Sequence, residues 1–292
     1  MAISSLKTGV ISPGSLLAGN AGYQTASPST VDYLVIAGGG GATRLSGGGA
    51  GGLRSTVTAT GGGGSLETAL TVTGGTAYTV TIGAGGARLT NLAAAAAPNG
   101  SNSVFSSITS TAGGGGGYGG VGNNGGSGGG SWNVGTQSTG TANQGYAGGG
   151  GFTSSPYDGG GGGGASEAGN TDGQSTGGDG VAVSISGTST FYAGGGAGSQ
   201  STNQAVKAGG TGGAANSGTD YANGAANSGA GGSANGGGVD SVAGAGGSGI
   251  VIIAFPDSYK AATLTNLTYT EPSRTGYRVY SITASSSGTI TF

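Results

Sequence analysis

Chemistry in this chain has few residues to draw on. Its 292 residues include no cysteine and no histidine, which removes thiolate ligands, disulfides, the commonest metal ligand and the commonest general base. The acids that remain are not paired by spacing. Glu67, Glu167 and Glu271 stand far apart, whereas glycoside cleavage needs two carboxylates across one bond and a shaped cavity around them. Asp158, Asp172 and Asp179 are scattered in glycine-bordered loops. Asn235-Gly-Gly-Gly-Val-Asp240-Ser-Val242 is one residue away from the calcium nonapeptide of parallel β-helices, but it stands as a single copy where such sites need consecutive ones. Its aspartate therefore reads as a turn residue. Gly38 and Gly40 follow an apolar run as in a dinucleotide fingerprint, yet Thr43 holds the third glycine position and no helical pattern follows. The expectation is a protein that is not an enzyme, with no catalytic residues, no cofactor and no metal.

The aromatics are more informative. Trp132, Tyr146, Phe152, Tyr157 and Tyr221 sit among glycine and polar residues instead of in apolar strands. Tyrosine and tryptophan set among Ser, Gly and Asn are the make-up of binding loops, because such rings give large contact area at low entropic cost. These five are the candidate receptor-contact residues. The competing reading is that each ring plugs an end of a packed structure or buries against a strand.

Whatever positions those rings is built mostly of glycine. There are 77 glycines, about a quarter of the chain against a usual level near ~7%. Runs such as Gly113–Gly117 and Gly159–Gly164 form either a flexible linker or a structure that only glycine can enter. The chain is nearly uncharged, with 6% charged residues, a net charge of −2 and 34% apolar residues, so it lacks the charge that keeps disordered segments expanded. In 118–129 the residues Tyr118, Val121, Asn124 and Ser127 recur every third position. Three per turn is the period of the polyproline-II type helix, whose N–H and C=O groups point sideways. Glycine chains in this form pack side by side and pair their backbone groups with one another.

Strands frame the glycine tracts. Val31–Ala37, a β-branched and apolar run, and Ile250–Phe255 are of the kind that form buried strands. Leu53–Thr60, Leu66–Thr73 and Ala77–Ile82 alternate, the last two joined by a hairpin turn at Gly74–Thr76. Ser103–Thr111 reads as one further strand, Val181–Ala193 as a hairpin turning at Gly187, and Tyr277–Phe292 as a terminal hairpin. The alanine run at 93–97 is a loop, since a lone helical turn is marginal. The fold class is mainly β and irregular, antiparallel strands framing a polyglycine-II bundle with almost no α-helix. Its parts are a docking arm at 1–30, a glycine-rich domain at 31–256 and a C-terminal β-hairpin subdomain at 257–292.

Eight basic residues against ten acidic ones leave no stripe able to neutralise a phosphate backbone, so nucleic acid is not an expected partner. No window approaches the ~18 apolar residues of a membrane span, and the first residues lack the apolar core of a secretory signal.

Five blocks occur in series: Val-Asp-Tyr-Leu-Val-Ile-Ala-Gly-Gly-Gly-Gly (31–41), Thr-Ala-Tyr-Thr-Val-Thr-Ile-Gly-Ala-Gly-Gly (76–86), Asn-Gly-Ser-Asn-Ser-Val-Phe (99–105), Ala-Gly-Gly-Gly-Gly-Gly (112–117) and Gly-Ser-Gly-Ile-Val-Ile-Ile (247–253). This series resembles the glycine-rich domain of tailed-bacteriophage tail fibres and adhesins. The opening Leu6-Lys7-Thr8-Gly9 and Ser15–Asn20 resembles the start of structural proteins of marine and cyanobacterial phages. The resemblance implies a virion protein, a tail fibre or tip adhesin with host-contacting loops at the end of a polyglycine-II bundle. It further implies attachment to other tail or capsid proteins through the arm, a host glycan or outer-membrane protein as receptor, and a homo-oligomer, with a trimer among its forms. The alternatives are a purely architectural capsid fibre or tail decoration, and a secreted glycine-rich filament or ice-binding protein.

Overall fold

The computed structural model describes residues 25–89, 96–154, 157–200, 205–218, 222–235 and 242–292. Most of the expected arm, Tyr221 and the 236–241 part of the nonapeptide-like stretch lie outside the described residues. The described residues form thirteen strands: β1 (Thr30–Ile36), β2 (Leu53–Ser55), β3 (Leu70–Thr71), β4 (Ala77–Thr81), β5 (Ser103–Phe105), β6 (Ile108–Ser110), β7 (Val181–Val183), β8 (Thr190–Tyr192), β9 (Ile250–Pro256), β10 (Thr263–Thr265), β11 (Thr268–Thr270), β12 (Tyr277–Ala284) and β13 (Gly288–Thr291). All named pairings are antiparallel, and among the described residues there is no helix.

The strands make three layers. The middle sheet runs β11-β12-β9-β1-β2, with β3 on β1, and the outer sheet runs β10-β13-β4-β5-β6. Because side chains alternate along a strand, Val31, Tyr33 and Val35 of β1 turn to the outer sheet and pack with Val80, Phe105, Ile290 and Phe292. Leu34 and Ile36 turn the other way, onto Val183, Ile185 and Tyr192 of the β7–β8 hairpin. The middle sheet is thus covered on both faces, which is why β9, and β1 from Tyr33 onward, are apolar on successive residues instead of alternating.

The partners of several segments differ from those expected. Gly74–Thr76 does turn, with the Thr76 N–H donating to the Thr73 carbonyl at 3.1 Å. The turn carries the chain from one sheet to the other, since β3 pairs with β1 and β4 with β13 and β5. Ser103–Thr111 is a hairpin, folded at Ser106 with φ 55°. Tyr277–Phe292 is not folded on itself: β12 lies beside β9 and β13 beside β4. Alternation fixes which side of a strand is buried and leaves its neighbour unspecified.

The glycine tracts form an ordered bundle. Gly38 and Gly41 donate to Ser101 and Pro98, Gly39 and Ala42 to Gly247 and Gly244, and Gly40 and Thr43 to Gly49 and Ser46, at 2.8–3.0 Å. Residues three apart therefore face the same neighbour, and each tract is bonded on three sides, the arrangement of packed threefold extended helices. The pattern repeats in 47–52 and in 159–164. It satisfies the backbone where there are almost no side chains to bury. The stretch where the threefold spacing is plainest in sequence opens with a bend at 118–120, Gly119 having φ 70°, and is back on the bundle at Asn123, whose N–H donates to Gly115 and whose carbonyl accepts from Gly129. It continues through Gly125 and Gly126, whose N–H groups donate to Thr139 and Ala112.

A polar knot fastens the edge of the middle sheet. Glu67 accepts from Arg54 Nε at 2.6 Å, from Arg54 Nη2 at 2.7 Å and from the Tyr33 hydroxyl at 2.5 Å. Burial, and then the bond to Glu67, push the Tyr33 hydroxyl far above the ordinary tyrosine range. Burial raises Tyr192 and Tyr280 in the same direction. A folded-state value above the unfolded one, about 10 for tyrosine, means that the neutral form is favoured by folding. That contribution is complete below about pH 10 and is lost as pH climbs through the folded values. Denaturation midpoints are therefore expected to hold from pH 7 to about 9 and to fall above about 10, with a shallower fall in Tyr33→Phe. An equal slope in that variant would remove Tyr33 from the explanation.

Candidate receptor-contact surface

The direction of the glycine tracts decides where each aromatic lies. Gly114 and Gly117 donate to Ser127 and Gly130, and Gly128 and Ser131 donate to Tyr146 and Gly149. Both pairs keep a constant offset, so tracts 113–117, 126–131 and 145–151 run in parallel. The residues that follow them, Tyr118, Trp132 and Phe152, arrive at one end, called here the far end because β1 enters the bundle at the other. The tract 159–164 runs back, since Gly160 and Gly163 donate to Ser131 and Gly128. Tyr157, just before it, is therefore also delivered to the far end.

Two of the far-end rings are in contact, and backbone bonds bring the other two residues beside them. Tyr118 and Trp132 lie with ring centroids 4.8 Å apart and planes at 36°. The Trp132 indole Nε1 donates to the Tyr157 carbonyl at 3.3 Å, and Trp132 bridges to Gly159. The Phe152 N–H donates to the Asp158 carbonyl at 2.9 Å and closes the loop that carries Tyr157. Asp158 is buried beneath it. One carboxylate oxygen accepts from Gln200 Nε2 at 2.9 Å, and the other has no partner among the described residues. Tyr157 is 44% exposed and Val121 41%, while Trp132 and Phe152 are half-buried. The result is an aromatic patch on a rigid base, with one ring presented to solvent and the indole held by a stack and a hydrogen bond.

Three of the five sequence candidates, Trp132, Phe152 and Tyr157, thus come together. Tyr146 starts its tract instead of ending one, so it lies at the near end, its hydroxyl over Gly63. Tyr221 falls outside the described residues. Tyr118 was not among the candidates, although its place directly after Gly113–Gly117 marks it as a tract-ending ring.

The acids also gather in a way their spacing conceals. Carboxylate oxygens of Glu167, Asp172 and Asp179 all lie within 4.8 Å of one another, a spacing that a hard, oxygen-preferring cation can bridge. Two of them already hold backbone: Glu167 accepts from the Asp179 N–H at 3.2 Å, and Asp179 from the Thr211 N–H at 2.7 Å. These bonds make the cluster an anchor between tracts. Of the other acids weighed for catalysis, Glu67 is committed to Arg54 and Tyr33, and Glu271 is exposed.

Comparison with curated proteins and with solved structures returns no match. The family model described as a glycine-rich domain matches residues 17–256, from ahead of β1 to the end of β9 and therefore across the whole bundle and its far end. The chain belongs to the glycine-rich domain family.

Proposed function

We propose that the protein is a non-enzymatic attachment protein of a bacteriophage virion, a tail fibre or tip adhesin that meets the host surface with the far end of its glycine bundle. The observation that carries this reading is the convergence of Tyr118, Trp132, Phe152 and Tyr157 on one end of a framework otherwise nearly free of large side chains. A bundle bonded on three sides holds those rings in place, so little ordering entropy remains to be lost on contact. Aromatic rings suit the apolar faces of sugars and also protein loops, which fits a surface glycan or an outer-membrane protein as receptor. The phage assignment rests on the resemblance of the five sequence blocks, as do docking on other virion proteins through the N-terminal arm and assembly into a homo-oligomer. A second reading, an architectural virion component, draws support from the Tyr118–Trp132 stack, which seals the bundle end as a plug would.

The test is direct binding. Fluorescently labelled protein is incubated with a panel of marine cyanobacterial and Gram-negative cells, beside Trp132→Ala, Tyr157→Ala and the exposed-site control Val206→Ala. Loss of a central aromatic contact costs on the order of 2 kcal/mol, about thirtyfold in affinity. Binding weakened in the two aromatic variants and kept in the control is the expected result. Protein that labels no cell in the panel, from virions that adsorb equally well without it, would leave the architectural reading.

A further inference from the structure

Two grooves meet at the near end, away from the aromatic patch. The first, of about 580 Å³, is lined by Phe191, Leu66, Tyr146 and the hydroxyl-bearing Thr58, Thr60 and Ser166, among others. The second, of about 560 Å³, is lined by Arg54, Glu67, Thr68, Asn143 and Gln144 and shares Leu66 with the first. Both lie within the size range of small-ligand sites, roughly 300–1,000 Å³. Phe191 is 53% exposed and Leu66 48%. On β8 the neighbouring Tyr192 is buried, so strand alternation turns Phe191 outward, and core packing does not account for it. Large apolar side chains left in the open around a shared groove mark a contact surface.

We propose that this double groove binds a neutral oligosaccharide. A sugar ring has an apolar C–H face and an edge of hydroxyls, and the two halves of the groove divide the same way. Phe191, Leu66 and Tyr146 offer stacking surface, while Asn143 and Gln144 offer amides. The Gln144 side-chain Oε1 accepts from the Thr111 N–H at 2.8 Å, which leaves its Nε2 hydrogens for a ligand. The charges in the groove cancel, because Arg54 and Glu67 are joined by two bonds. The site therefore presents no net charge to attract an ionic ligand. An added peptide strand is disfavoured, since the N–H groups of Gly64 and Gly180 along the walls already donate to Gly61 and Thr211. Strand addition needs such groups free.

The site is separate from the far-end patch, and so is its test. The full chain is examined by saturation-transfer difference NMR against maltoheptaose, a mannan hexasaccharide, a neutral lipopolysaccharide O-chain fragment and a sialylated oligosaccharide. At least one neutral sugar is expected to receive saturation on its ring C–H protons. Its affinity should fall tenfold or more in Phe191→Ala and in Leu66→Ala, exposed positions whose substitution leaves the melting temperature unchanged. Binding should persist in Trp132→Ala, which keeps this result distinct from the cell-binding assay. The proposal is overturned if no neutral sugar binds, if binding survives both groove variants, if only Trp132→Ala abolishes it, if the sialylated sugar is preferred, or if uncharged peptides occupy the groove in place of sugars.

Discussion

Gly40→Ala is expected to remove a large share of the protein's stability. Glycine to alanine at a site the new residue can enter normally stabilises by about 0.4–1 kcal/mol, because the unfolded chain loses freedom. At Gly40 the opposite sign wins. A Cβ there would lie closer than 3.0 Å to the carbonyl oxygen and carbon of Gly114, on a neighbouring tract. Backbone held by its own bonds has no rotamer with which to yield. Separating the tracts strains or breaks bonds such as Gly40 to Gly49 and Gly49 to Gly114, at 2.8 and 2.7 Å. Overpacking costs typically about 1–3 kcal/mol, each lost bond about 0.5–1.5 kcal/mol, and a domain has only about 5–15 kcal/mol to lose. The expected loss is about 3–5 kcal/mol, read from the guanidinium midpoint. Gly162→Ala, facing the carbonyl of Gly48, should behave alike. Among the described residues nothing lies within 4 Å of a Cβ at Gly120 or Gly135, and alanine there should shift stability by no more than about 0.5–1 kcal/mol, in either direction. Equal, small effects at all four positions would mean that the tracts are not packed as described.

That contrast also bears on what the sequence could reveal. The two central strands were legible because burial on both faces leaves a run of successive apolar residues, and Tyr33–Ala37 and Ile250–Phe255 each show one. The presence of a threefold glycine structure was legible too, but its position was not. The regular spacing at 118–129 points to a turn as readily as to a tract, and the tracts that pack most tightly, such as Gly113–Gly117, show no spacing at all. Glycine reports where a Cβ is forbidden, and nothing in a run of it reports which chain stands opposite. The gathering of aromatics at the far end was partly legible for the same reason. An aromatic flanking a glycine run must lie at an end of the bundle, yet which end depends on tract direction, and this separates Tyr146 from Trp132, Phe152 and Tyr157. The meeting of Glu167, Asp172 and Asp179 depends on the loop between two tracts and left no trace in their spacing.

Phe255→Ala should cost nearly as much as Gly40→Ala, through side chains instead of backbone. Phe255 closes β9 at 1% exposure, edge-on to Phe292 at 5.6 Å and tilted against Tyr280 at 6.0 Å. It ties the middle sheet to the outer one. Truncating a buried phenylalanine costs about 3–5 kcal/mol, with lost aromatic pairing as part of that sum. Phe292→Ala removes the opposite ring of the same pair, so the double variant should fall short of the sum of the two by about 0.5–1.5 kcal/mol. The consequence for the bundle is the sharper part. β1 runs through Ala37 directly into the tract at Gly38, and Gly249 leads directly into β9, with Gly39 donating to Gly247 and the Gly249 N–H to Gly83 at 2.9 Å. A glycine bundle buries almost no apolar surface of its own, and its net gain per hydrogen bond is no larger than the backbone entropy of ordering a residue, about 1–2 kcal/mol. It should therefore stand only while the sandwich stands. Guanidinium unfolding of Phe255→Ala, followed together by near-ultraviolet circular dichroism and by amide exchange at Gly113–Gly117, is expected to show both signals moving in one transition displaced to lower denaturant. Tract amides that stay protected after the aromatic signal is lost would show that the bundle holds itself together.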